Sequence, residues 1–237
     1  MAVYVYSIAE ESHPLRLDDV TGVGEPPSEL RTVTAGALCA VVSDAPDDLR
    51  PKRRDLNAHQ QVQDRLMKDG TVLPLRFGLT APDDDAVRAA LEERGAEYAD
   101  RLRALKGCAE YHLKVMQDEE ALLRQILEAS SEARQLNDEI RRGTAGPDAP
   151  LALGELVAQE VQARQEALAA GVVEALRPFS REEDSSQPTG SDFLSVSFLV
   201  PDDQEELFLA TELSLANQMG DEFQFRLNGP LPPYSFV

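Results

Sequence analysis

Ala109-Glu110-Tyr111-His112-Leu113-Lys114-Val115-Met116 sets Tyr111, Leu113 and Val115 at every second position, with Glu110, His112 and Lys114 between them. That period of two reads as a half-buried strand. Helical segments are expected to follow at about 118–141 and 152–177, split by Gly143-Thr144-Ala145-Gly146-Pro147. The second carries Leu153, Val157, Val161, Leu168, Val172 and Leu176 on one stripe. Alternation returns at Asp192–Val200 through Leu194, Val196, Phe198 and Val200, and a third strand is expected at 222–227 beyond a helix at 203–219. This half therefore reads β-α-α-β-α-β, and helices on one face of a small antiparallel sheet would bury every stripe named. A ferredoxin-like plan is the closest simple match, although it requires four strands and three are found.

Working outward, residues 2–9 read as a strand, with Val3 and Val5 set against Tyr4 and Tyr6. Leu30–Thr34 and Ala37–Ser43 read as a hairpin about Ala35-Gly36. A helix from Arg53 to Lys68 places Leu56, His59, Val62 and Leu66 on one face. Thr71–Phe77 suits an edge strand because Pro74 interrupts it. Pro82-Asp83-Asp84-Asp85 starts the next helix, with carboxylates at the positive end of its dipole. Apolar stripes close on each side of Lys106-Gly107. The expectation is an α+β protein of two domains, 1–106 and 107–237, with Ser180–Gly190 a mobile loop and Gly143–Pro150 equally mobile.

Composition narrows the function. Of 237 residues 42% are apolar, enough for a core, and no run approaches the roughly 18 apolar residues of a membrane span. The opening Met1-Ala2-Val3-Tyr4-Val5-Tyr6 has no basic leader, so the cytoplasm is expected as the site of synthesis. A net charge of −20 disfavours nucleic acid and anionic membrane, since both would be held by Lys and Arg. Cys39 and Cys108 lie in apolar runs and are expected as buried free thiols.

A search for chemistry finds little. His13, His59 and His112 are not spaced as ligands on one element, and the two cysteines stand far apart, so no metal site is expected. Thr21-Gly22-Val23-Gly24 is followed by Pro26-Pro27 rather than by a helix start, so it reads as a turn and not as a phosphate cradle. No Gly-x-Ser-x-Gly elbow occurs. Asp83-Asp84-Asp85 reads as a helix start and Glu182-Glu183-Asp184 as a solvated loop, rather than as metal carboxylates. No catalytic residue and no cofactor is expected.

Some segments stand out for other reasons. Leu73-Pro74-Leu75-Arg76-Phe77-Gly78 sets a cation among apolar residues beside a proline. Gly229-Pro230-Leu231-Pro232-Pro233-Tyr234-Ser235-Phe236-Val237 is an extended segment with two aromatic anchors, expected to lie docked on its own chain. Together with Glu110–Val115, Tyr4-Val5-Tyr6-Ser7-Ile8-Ala9 and Gly36–Ser43, they resemble the gas vesicle protein F/L family, in order and spacing along the whole chain. The family often carries a tryptophan in the middle strand or the tail. This chain has none, with Tyr111 and Leu231 in those neighbourhoods.

The resemblance implies two α+β domains, the second a modified ferredoxin-like fold. It also implies a non-enzymatic assembly factor or minor vesicle component that contacts the main shell protein, gas vesicle protein A. No catalytic residues come with it. As partner-binding candidates we take Leu73, Leu75, Arg76 and Phe77 from the Pro-kinked segment. The rival reading is a small-molecule-binding or enzymatic protein using the cleft between its domains. A signalling module with a ligand on its ferredoxin-like sheet is a third.

Overall fold

The computed structural model describes residues 2–237 and is a mixed helix and antiparallel-sheet protein. It divides into two compact units: the chain up to Tyr111 together with Gly229–Val237, and His112–Asn228. The last nine residues thus group with the first unit, whereas the sequence placed them in a domain 107–237.

In the first unit, strands β1 (Val3–Glu10), β2 (Arg31–Ala35) and β3 (Leu38–Asp44) precede helix α1 (Arg53–Asp69). Short strands β4 (Val72–Pro74) and β5 (Thr80–Ala81) follow, then helices α2 (Asp84–Glu93) and α3 (Gly95–Leu105). The strand order is β2-β3-β1-β4, with β5 also paired to β1. The hairpin expected at Gly36 is present, Ala35 facing Leu38, with Gly36 at φ +58°. That left-handed value is one glycine adopts at little cost.

Every β1 residue from Val3 to Ala9 is buried, so the strand is covered on both faces. A register shift between Val5 and Ser7 re-phases the alternation, as a bulge does. Tyr4, Tyr6 and Ala9 join the cluster that includes Val62 and Leu66 of α1, and Ser7 donates to Gln63 of the same helix at 2.5 Å. Val5 and Ile8 instead line a cavity with Val87 and Leu91 of α2. The buried face of α1 is Asp55, His59, Val62, Gln63 and Leu66. Leu56, expected on that face, is 41% exposed because it sits one position off the i, i+4, i+7 stripe.

Asp83 caps α2 by accepting from the Ala86 N–H at 2.8 Å, and Asp84 accepts from Arg31 at 2.8 and 3.3 Å. The Arg31 guanidinium holds the Asp84 carboxyl below its usual range. The acidic triplet therefore starts a helix, as expected, and in addition ties it to β2.

Strand β6 (Cys108–Gln117) leads to helices α4 (Glu119–Ala129), α5 (Ser131–Arg142) and α6 (Ala149–Leu176). Strands β7 (Glu182–Ser185) and β8 (Asp192–Pro201), helix α7 (Glu205–Met219) and strand β9 (Phe223–Leu231) complete the chain, in sheet order β7-β8-β6-β9. The missing fourth strand is β7. It lies in the segment read as a mobile, solvated loop, pairing antiparallel with β8 from Glu182↔Leu199 to Ser185↔Val196. An edge strand needs only its backbone, so Glu-Glu-Asp-Ser forms one without an apolar face. The helix expected over 118–141 breaks at Ser130, whose hydroxyl accepts from Ala133 N–H at 3.2 Å and caps α5. Cys39 is a buried free thiol, whereas Cys108, at the head of β6 beside the Gly107 turn, is only half-buried. No helix among the described residues is long and apolar enough to cross a membrane.

Candidate partner-binding groove and the docked tail

The segment after α1 runs along β1, leaves it, and returns. Ile8 pairs with Leu73 and Ser7 with Pro74 in β4, and Leu75 N–H donates to the Tyr6 carbonyl at 2.9 Å. The chain rejoins β1 where Val5 N–H donates to the Leu79 carbonyl at 3.0 Å, and β5 pairs from there. Residues 76–78 form the excursion.

This path distributes the four candidate residues. Leu73, buried, and Leu75, half-buried, line a cavity of about 410 Å³ whose far wall includes Val87 and Leu91. Leu79, which the sequence did not single out, lines it too and is 47% exposed. Arg76 is exposed. Phe77 lies against other partners, 5.8 Å between ring centroids from both Tyr4 and His59. The geometry thus unites Leu73 and Leu75 and sends Arg76 and Phe77 elsewhere. Polar residues Arg94, Glu97, Tyr98 and Arg101 also line the cavity. Arg94 is held by Glu97 at 2.6 and 2.9 Å and lies 4.9 Å over the Tyr98 ring. A mostly apolar trough with a charged border matches what binds an apolar protein segment.

The tail docks where Phe77 packs. The Tyr4 hydroxyl lies 2.8 Å from His59 Nδ1, and the Tyr234 hydroxyl 3.0 Å from His59 Nε2. Gly78 N–H also donates to the Tyr4 oxygen, at 3.2 Å. Burial pushes His59 down to about 4 against a backbone hydrogen bond with Leu75, so the ring is neutral, one nitrogen carrying a hydrogen and the other accepting. Burial likewise raises the pKa of both tyrosines. Ser235 donates twice to the Glu110 carboxylate, from its N–H at 2.9 Å and its hydroxyl at 2.7 Å. Arg101 donates to the Phe236 carbonyl, Phe236 is 6% exposed, and Val237 lines the cavity. The docked tail expected from the sequence is present. Its partner His59 was legible only as an inward-facing helix residue, because nothing local announces a contact 175 positions away.

In the second unit His112 Nδ1 lies 2.9 Å from the Ser197 hydroxyl and Nε2 3.4 Å from that of Ser195. Both serines are at least 96% buried. A nucleophile must meet its substrate, so this cluster knits strands together rather than attacking anything. Among the described residues no three His, Cys, Asp or Glu side chains gather to hold a metal ion.

Comparison with known proteins agrees along the whole chain. The family model for gas vesicle synthesis protein GvpL/GvpF matches residues 2–237. Gas vesicle protein F of Streptomyces sp. (strain CB03234) is 44% identical, covering 100% of both chains. Gas vesicle protein L2 of Halobacterium salinarum is 25% identical, over 99% of this chain and 90% of its own. In fold, the chain resembles the crystal structure of GvpF from Anabaena sp. PCC7120, with TM-score 0.86 at 23% identity over 99% and 97% of the two chains. The GvpF structure from Microcystis aeruginosa gives 0.80 at 24% identity, over 99% and 98%.

Proposed function

The chain belongs to the GvpL/GvpF family of gas vesicle synthesis proteins, and from that premise we propose that it binds the main shell protein, gas vesicle protein A, and assists vesicle formation without catalysing a reaction. A gas vesicle wall must keep water out of its interior, so a shell subunit carries an apolar surface that is uncovered before assembly. Such a surface drives aggregation unless something covers it. The observation that carries the reading is the trough beside β4, where Leu73, Leu75 and Leu79 face Val87 and Leu91. Bound there, the shell protein's apolar segment is shielded by an acidic carrier of charge −20, which stays solvated while loaded. In this reading the protein starts in the cytoplasm and ends as a minor component of the vesicle.

The test is co-expression with gas vesicle protein A and recovery of the complex. The double variant Leu75→Asp, Leu79→Asp places two carboxylates in the trough and is expected to lower shell protein recovery at least about tenfold. Its melting temperature should stay close to wild type, because both side chains are partly exposed. Undiminished recovery with this variant refutes the groove as the binding site. Immunogold labelling of intact vesicles tests the vesicle location separately.

A further inference from the structure

The second unit holds a cavity of about 500 Å³ bordered by α4, α6 and the ends of β6 and α7. Leu122, Leu168, Met219 and Phe223 give it apolar walls. Two polar groups that line it are left over. Gln117, the last residue of β6, is 6% exposed, yet its Oε1 has no hydrogen-bond partner among the described residues. Arg164 on α6 is in the same position at Nε, which is buried and makes no hydrogen bond. Its nearest carboxylate oxygen, on Glu160, stands at 3.6 Å. An unmet buried donor or acceptor is costly, so two lining one cavity require an account.

We propose that this cavity binds a protein segment that presents an aliphatic side chain beside an unpaired main-chain amide. The amide carbonyl accepts from Arg164 Nε–H, its N–H donates to Gln117 Oε1, and the side chain enters the apolar part. One donor and one acceptor complement one amide. Charge argues the same way. Glu160 lies beside the guanidinium, and Glu222, which accepts from Gln125 at 2.7 Å, lines the cavity as well. Two carboxylates against one guanidinium repel an anionic ligand and leave a neutral amide favoured. The site is separate from the trough of the first unit, and the inference does not depend on the role given to that trough.

The test uses the full chain and two probes. N-acetyl-leucine N-methylamide has one isobutyl side chain between two amides. Methyl 4-methylpentanoate keeps the branched chain and a carbonyl but lacks any N–H. Titrated at millimolar concentration and followed by NMR, the amide should shift the Arg164 Nε–H, the Gln117 side-chain resonances and the Leu122 and Leu168 methyls saturably. The ester should bind about tenfold more weakly, the worth of one hydrogen bond to a buried group. Arg164→Met and Gln117→Leu should each weaken amide binding about tenfold. Their melting temperatures should hold or rise, since each removes a polar atom that is unsatisfied without ligand. If Gln117→Leu fails to fold, Arg164→Met, on a partly exposed helix face, carries the comparison alone. Absence of saturable shifts, or equal binding of ester and amide, overturns the proposal. So does movement of the same resonances when protein concentration alone is raised, which makes a second copy the occupant.

Discussion

The hydroxyl of Tyr234 lies 3.0 Å from Nε2 of His59, joining the tail to the buried face of α1 across 175 positions of sequence. Because Tyr4 holds the other ring nitrogen at 2.8 Å, His59 is fixed between two hydroxyls and kept neutral by burial. Protonating the ring would make both nitrogens donors, leaving none to accept, and would bury a charge. The arrangement has consequences for stability at acid pH, for the tail and for its neighbours.

The first concerns acid. His59 is pushed down to about 4 in the folded chain from an ordinary 6.5, so between those values the unfolded chain binds more protons. Its contribution to stability is therefore present above about pH 6.5 and lost as pH falls towards 4. Between pH 7 and pH 5 the loss from this one group is about 2 kcal/mol. His59→Gln keeps a donor and an acceptor at the site but does not titrate. Urea unfolding at the two pH values should show a smaller pH dependence in the variant by about that amount, whatever its stability at neutral pH. Equal dependence in both proteins refutes the assignment.

The second concerns the tail. Tyr234→Phe removes one hydrogen-bond partner of the buried His59 ring, at a cost of about 0.5–1.5 kcal/mol. Deleting residues 230–237 additionally removes the Ser235–Glu110 hydrogen bonds and the buried Phe236. The deletion should lower the melting temperature more than Tyr234→Phe does, and soluble yield should fall with it. Should the truncated chain melt with wild type yet fail to retain gas vesicle protein A, the tail is a ligand for the partner and not a part of the fold.

The third concerns Gly229, near the end of β9. A Cβ built on Gly229 would stand 2.4 Å from Cδ1 and 2.7 Å from Cε1 of Tyr111, a ring only 2% exposed. Neither the ring nor the backbone can yield cheaply, and overpacking of this kind costs about 1–3 kcal/mol. Gly229→Ala should depress the melting temperature by about 2–4 °C per kcal/mol for a chain of this size. In the double variant with Tyr111→Val most of that penalty should vanish, and a purely additive result would show that the contact is not its cause.

Much of the fold was legible because burial imposes a period. Leu113 and Val115 alternate in burial as a half-covered strand must, Val196 and Phe198 alternate in residue type although β8 is buried throughout, and the Gly36 turn sits between two strands. What stayed hidden had no period to betray it. Strand β7 is an acidic edge that uses only its backbone. Tyr6 and Ser7 fall on one face because a bulge breaks the alternation. Of the candidate site, Leu73 and Leu75 were found by chemistry and order, but the parting of Phe77 from them is set by the excursion at 76–78. Its partners, Tyr4 and His59, come from two distant segments, and no local pattern encodes their meeting.

The last prediction concerns what holds the shell protein. The carrier has a charge of −20, and if attraction were ionic the partner would have to be strongly basic at the contact. The trough offers instead Leu73, Leu75, Leu79, Val87 and Leu91, with Arg94 already neutralised by Glu97 at 2.6 Å. Ionic attraction between exposed groups is screened within about 8 Å at physiological ionic strength and about 3 Å at 1 M salt. Apolar contact is not screened, and excluded salts such as sulfate strengthen it. Complex formation with gas vesicle protein A, followed by co-purification or light scattering, should therefore weaken only modestly between about 0.15 and 1 M sodium chloride. Replacing chloride by sulfate at equal ionic strength should hold or raise the yield. The Leu75→Asp, Leu79→Asp variant should fail in both salts, since its defect is the cost of desolvating carboxylates and not a lost long-range field. A complex that dissolves at about 1 M chloride while the double variant still binds would mean that charge on another face does the holding.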